Sequence, residues 1–274
     1  MTSVKPTRPD FAAPPIVEQA ITVNFDPIPG FSLVHFGQFF GEVAAKFPDH
    51  SHDIRLDAPV ENAALESSPE IGIRLVQMGS HLPRLLLRNA TELIQVQNDR
   101  FGFNWCKPLV GGEYPRWETT FSRFKATLER FEDFLSAAEL APLALRQCEV
   151  TNVNIIPVST FGISFDDIGK AFVVDPLDFH VPCLVPETYV RTRQHRIVNT
   201  DGGMRGRLHT LLQPAYSATD GSAAFKLDFT ARSLPNLKTK TEVAEFFGVA
   251  RDSINAAFMA TTTREMHKIW GEKE

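Results

Sequence analysis

Residues 93–105, LIQVQNDRFGFNW, constrain the fold more tightly than any other stretch. Apolar and polar side chains alternate on both sides of Asn98-Asp99, and the alternation keeps its phase through the turn. A period of two belongs to strands with one dry face, and a two-residue turn fixes how such strands pair. The spacing therefore predicts a hairpin with Val96 opposite Phe101, Ile94 opposite Phe103 and Glu92 opposite Trp105. Ile94, Val96, Phe101, Phe103 and Trp105 then share the core face. Gln95, Gln97, Arg100 and Asn104 form a polar row on the other face, a candidate contact surface.

The remaining pattern extends this into an α+β chain. Ile16–Phe25 reads as a strand with Val17, Gln19, Ile21, Val23 and Phe25 on one side. Val34, Phe36, Phe39, Phe40, Val43 and Phe47 recur at helical spacing until Pro48. Residues 49–68 are polar and aperiodic, which predicts a loop, and residues 71–78 and 83–89 read as strands. Trp117, Phe121, Phe124, Leu128, Phe131, Phe134 and Leu135 trace the clearest amphipathic helix, and residues 145–158 read as the next strand. After a Pro-, Asp- and Gly-containing stretch come strands at 188–198, 205–216 and 223–233, separated by the turn compositions NTDGG and ATDGS. Thr239 and Glu242 have capping-box spacing before a short helix, and a terminal helix follows through Ile254, Phe258, Met266 and Trp270. The expected fold is α+β: two related halves, each an antiparallel sheet packed against a long helix. A flexible arm at 1–13, an N-terminal half at 14–160, a connecting segment at 161–186 and a C-terminal half at 187–274 complete this division.

Composition narrows the class. With 22 Phe in 274 residues, a core needs no disulfide or metal staple. The formal net charge of -5 argues against a chain that coats nucleic acid. Three widely spaced cysteines, Cys106, Cys148 and Cys183, have no zinc-type spacing and point to reduced thiols. With neither a leader-like segment nor a membrane-length apolar run, the expected location is the cytoplasm.

Candidate chemistry is sparse. Asp49, His50, His52 and Asp53 are the nearest approach to a metal cluster, but no third ligand group has matching spacing, so His50 and His52 remain weak candidates. No nucleophile elbow or phosphate-binding glycine loop occurs, and no cofactor is implied. The basic hairpin is the stronger feature. Arg191, Arg193, His195 and Arg196 precede the turn, and Arg205, Arg207 and His209 follow it. If the register aligns the rows 191/193/195 and 205/207/209, they build a cationic platform for phosphate or carboxylate; a slip of one residue separates them.

Four stretches together carry a family resemblance: PPIVEQAITVNF, LIQVQNDRFGFNWCKP with the following YPRWE, EVTNVNIIP, and FMATTTREMHKIWG. Over most of its length the chain resembles a sporadically distributed bacterial family of α+β proteins with no established activity. Members usually carry arginine where Cys106 stands and often tyrosine where Thr151 stands, so no role transfers to those positions. The resemblance implies a bacterial protein with a context in defence or mobile DNA, and it supplies no catalytic residue. The expectation is a non-catalytic binding, sensor or accessory protein that recognises a protein partner, nucleic acid or anionic ligand through its sheet and basic hairpin. An apolar-ligand carrier with a cavity under the long helix and a metal-dependent hydrolase or nuclease are the alternatives.

Overall fold

In the computed structural model, which describes residues 8–57, 60–63, 82–108, 111–174, 189–217, 219–235 and 237–273, the hairpin takes the register its alternation specifies. Strands β4 (Glu92–Gln97) and β5 (Arg100–Cys106) pair Val96 with Phe101, Ile94 with Phe103 and Glu92 with Trp105. The other strands are β1 (Ile16–Phe25), β2 (Asp49–Asp53), β3 (Arg84–Arg88), β6 (Leu145–Pro157), β7 (Arg191–Val198), β8 (Met204–Tyr216) and β9 (Ala223–Ser233). The helices are α1 (Leu33–Val43), α2 (Arg116–Ala137), α3 (Ile168–Ala171), α4 (Lys240–Thr261) and α5 (Arg264–Ile269). All nine strands form one antiparallel sheet in the order β2-β3-β4-β5-β1-β6-β9-β8-β7. The chain is therefore a mixed α+β fold built on a single continuous sheet, whose edges among the described strands are β2 and β7.

One face of this sheet carries the core. Ile21, Val23, Phe103, Val150, Leu208, Phe229 and Ala231 lie on it, all buried, under the apolar sides of α1, α2 and α4. Beneath α2 rings pack together: Phe131 lies 5.2 Å from Phe101 and 5.1 Å from Phe39 between ring centres, while a cavity of about 250 Å³ remains between α2 and α4, lined by Phe121, Phe124, Leu128 and Phe247. Offset and edge-on contacts of this kind add to the burial of the rings themselves. Gly206 of β8 sits where the backbone of β9 comes closest. A Cβ added there would stand 2.2 Å from the Arg232 carbonyl oxygen and 2.9 Å from Phe246.

Several local expectations change. Residues 49–53 are not loop: DHSHD is an edge strand, exposed throughout and paired with β3. Its composition has little strand propensity, so the free edge of β3 imposes the conformation. The strand expected at 71–78 lies outside the described residues. In the C-terminal part the predicted short helix and terminal helix are one 22-residue helix, α4, with the capping box of Thr239 and Glu242 at its start. It stops at Thr262, and Thr263 accepts from the Met266 N–H to open α5. The arm is held from residue 8 onward. Phe11 is buried among Phe258, His267 and Trp270, and Ala12 and Ala13 donate backbone hydrogen bonds to Gly271 and Trp270.

Two outcomes follow from this packing. Gly206→Ala should destabilise the fold by roughly 3 kcal/mol, since the close atom is backbone and cannot swing away; urea unfolding reads this directly. His267 is the second case. Burial holds its imidazole below the ordinary 6.5, only partly offset by Glu272, and its Nε2 lies 2.7 Å from the Thr262 hydroxyl. The unfolded chain then takes up the proton first as pH falls, so the contribution of His267 is whole above pH 6.5 and is lost progressively as pH drops toward its lowered pKa. Melting temperatures recorded from about pH 8 to about pH 5 should fall for the wild type, and His267→Gln should remove that part of the slope.

Candidate functional site

The basic hairpin divides into two sites. In the β7–β8 ladder Arg196 opposes Arg207, His195 opposes Leu208 and Arg193 opposes Thr210. Because side chains alternate between faces, Arg191, Arg193 and His195 turn toward the helices, and Arg196, Arg207 and His209 turn to the opposite, open face. The expected single platform is therefore not formed. A register shift between Ile197 and Val198 displaces Arg205 as well, and it reaches Glu245 of α4 at 3.7 Å. Separating the rows spares the sheet the repulsion of four arginines gathered on one side. The helix-side row rims a cavity of about 380 Å³ whose floor includes Leu208, Leu212 and Ala257.

The open-face row has an unanticipated partner. Residues 54–57 and 60–63 lie over this face, and Glu61, only 4% exposed, places its carboxylate among two guanidiniums and an imidazole. Arg207 donates to Glu61 Oε1, His209 Nε2 lies 2.8 Å from Oε2, and Arg232 Nη1 lies 3.4 Å from Oε2. Arg207 also donates to the Asn62 carbonyl at 3.1 Å. Burial raises the pKa of Glu61, but the hydrogen bond from His209 and the charges of His209, Arg207 and Arg232 outweigh it, and the net shift is downward from 4.5. Arg232 in turn bonds Glu149 at 2.6 Å, and Glu149 faces Arg100 at 3.5 Å. A ladder of alternating charge therefore crosses from β5 to β8: Arg100, Glu149, Arg232, Glu61, Arg207.

The polar hairpin row lies under the same cover. Gln97 is 1% and Asn104 3% exposed, so the row is a buried hydrogen-bonded layer and not the open contact surface expected. Gln97 clasps the Leu56 backbone, accepting from its N–H at 2.7 Å and donating to its carbonyl at 3.0 Å. Arg84 donates to Gln95, Gln95 to Asn104, and Asn104 to Glu18. Arg55 pairs with Asp99, and the Glu61 N–H donates to Gln147 at 3.1 Å. Asn24, beside Arg100 and Gln147 in the sheet and 6% exposed, has neither amide atom paired.

The other candidates are kept apart by the same alternation. His50 and His52 face α1, where His50 lies 4.4 Å from the Phe40 ring, whereas Asp53 pairs with Arg84 on the other side. Carboxylates and imidazoles of DHSHD thus point to opposite faces, and among the described residues no three His, Cys, Asp or Glu side chains form a metal-holding group. Burial pushes the Cys106 thiol up to about 11 and raises that of Cys148 further, so neither is a thiolate near neutrality. No helix among the described residues is long and apolar enough to cross a membrane. No family model matches the chain, and no curated protein matches it.

Sequence reasoning missed Glu61, Arg232, Glu149 and Arg55. Glu61 lies in an aperiodic stretch 146 residues before Arg207, and nothing local marks it. Arg232 does carry a signal, as one of the charged residues that alternate with the apolar row of β9. Glu61→Gln should cost roughly 3 kcal/mol, because it leaves the buried Arg207 guanidinium without its anion and Arg232 with Glu149 alone. Hydrogen exchange at the Leu56 and Glu61 amides should accelerate with it. In the wild type the same contribution is present above pH 4.5 and lost as pH falls through the lowered pKa of Glu61.

Proposed function

We propose that this chain is a non-catalytic binding protein that recognises an acidic segment of a protein partner on the open face of its sheet. The observation that carries the reading is the socket of Arg207, His209 and Arg232, which holds the chain's own Glu61 carboxylate. Two guanidiniums and an imidazole converging on one carboxylate form an anion site with charge-assisted hydrogen bonds. An internal anion in such a site is exchangeable in principle for an external one of the same chemistry. The unpaired amide of Asn24 adds hydrogen-bonding capacity beneath the same segment. The protonated state of Cys106 and Cys148 and the divided faces of DHSHD favour binding over nucleophilic or metal-assisted chemistry.

The fold supports a further element of this reading, that the molecule is two related halves. β1 is followed by α1, by the meander β2 to β5 that returns to pair with β1, and then by α2; β6 is followed by the meander β7 to β9 that returns to pair with β6, and then by α4. The halves meet where β1 pairs with β6. On this view the segment carrying Glu61 starts in the first half and fastens to the second, so displacing it frees a surface spanning both. A role as an accessory subunit in bacterial defence or mobile-element biology rests on the sequence resemblance alone.

The test is anion binding to the whole chain. A glutamate-rich peptide titrated calorimetrically should bind Glu61→Gln at least about ten-fold more tightly than wild type, because the internal competitor is gone. Adding Arg232→Gln to that variant should abolish the gain. Equal affinity for wild type and Glu61→Gln, with both proteins folded by circular dichroism, would remove the basis of the proposal.

A further inference from the structure

On the helix side of the sheet, Gln19 and Asn152 are among the polar residues that break the apolar rows. Gln19 of β1 and Asn152 of β6 face each other across the central pairing, and Gln19 Nε2 donates to Asn152 Oδ1 at 3.0 Å. Gln19 is only 2% exposed, yet its Oε1 has no hydrogen-bond partner. It lies on the lining of a cavity of about 250 Å³ between the start of α2 and the middle of α4, with the arm at residues 8–10 as outer wall. A smaller space of about 80 Å³ adjoins it and shares Tyr114, Arg116 and Asn152. A buried carbonyl without a donor costs on the order of 1–3 kcal/mol, so this one is either a defect or the waiting half of a contact.

The walls indicate which contact. Burial pushes the Tyr114 phenol up to about 12, partly offset by the Gln19 amide, which keeps it a neutral hydroxyl. Arg251 pairs with Glu118 at 2.6 Å, and Arg116 pairs with Asp10 at 2.7 Å. Arg116 holds a positive φ of 71°, a conformation non-glycine residues adopt at a cost, and from it donates to the Phe11 carbonyl at 2.9 Å. The N-terminus of α2 opens at this wall behind Pro115, with no side-chain cap, and favours negative charge. The cavity thus offers an unfilled acceptor at its floor and, at its mouth, guanidinium groups together with carboxylates. A multiply charged phosphate would meet Glu118 and Asp10, and an apolar guest would leave Gln19 unpaired.

We propose that this cavity binds a small zwitterion of the free amino acid class, its N–H donor on Gln19 Oε1 and its carboxylate toward Arg251 and Arg116. The site is separate from the open face and stands whether or not that face binds an acidic partner. The volume suits a molecule smaller than the drug-sized ligands of larger pockets.

The test uses the full chain and the proteinogenic amino acids one at a time, by thermal shift and then calorimetry, with acetate and methylamine as probes carrying one pole each. One amino acid, or a related set, should raise the melting temperature and saturate, while acetate and methylamine do neither. Gln19→Met should weaken that binding about ten-fold or more, since it removes the acceptor at similar size. Tyr114→Phe, which removes one hydroxyl and keeps the ring, should weaken it as well and carries the test if Gln19→Met fails to fold. Saturation by none of the amino acids, equal response to acetate or methylamine, or unchanged affinity in a folded Gln19→Met would each overturn the proposal.

Discussion

The antiparallel pairing of β1 with β6 is the constraint on which the rest depends. Ile21 opposite Val150 and Val23 opposite Cys148 set the phase of the whole sheet, because each further strand inherits its facing from the one beside it. From that pairing, rows of Ile, Val and Phe turn to the helices, and Thr22, Asn24, Gln147 and Glu149 turn the other way. A slip of one residue there would exchange the two sides together. The helices, the ionic ladder and the cavity beside Gln19 all take their positions from this phase.

Part of the second side lies under residues 54–57 and 60–63, where Glu61, Gln97, Gln147 and Arg207 are buried. Its charges are arranged so that each cation touches an anion and each anion at least one cation, from Arg100 through Glu149, Arg232 and Glu61 to Arg207. Ion pairs withdrawn from water recover their desolvation only when their geometry and remaining hydrogen bonds are good. Here the bonds come from Asn62, Gln147 and the clasp of Gln97 on Leu56. Such a layer contributes less to stability than an apolar one of equal area, but it fixes which segment lies on it.

The parts legible in the sequence were those in which one local pattern decides the outcome. The hairpin at 92–106 has hydrophobic alternation and a two-residue turn in agreement, and α2 has a long unbroken stripe. The two strands and turn of the basic hairpin were legible, but the facing of its charged rows was not, since arginine is compatible with either face and a bulge at Ile197/Val198 moved Arg205 out of phase. DHSHD became a strand through its neighbour, and residues 8–13 are fastened through Phe11, both tertiary effects with no local mark. For Glu61, partners in β8 and β9 lie more than a hundred residues away in sequence. The cavity did leave a trace. Gln19 among Val17, Ile21 and Val23, and Asn152 after Cys148 and Val150, are polar residues in rows that should be apolar. An out-of-phase polar residue in a core strand signals a buried partner or a site more specifically than a cluster of charge does.

The two edges of the sheet carry opposite electrical character. β2 presents Asp49 and Asp53, and β7 presents Arg191, Arg193 and Arg196 along a mostly exposed strand. Like edges repel, so two copies meeting edge to edge through a twofold axis are opposed by charge at both borders. The association that charge permits is acidic edge to basic edge, a head-to-tail contact that need not close into a ring. Charge at the edges of the described strands therefore disfavours symmetric edge pairing, a bias that salt would weaken.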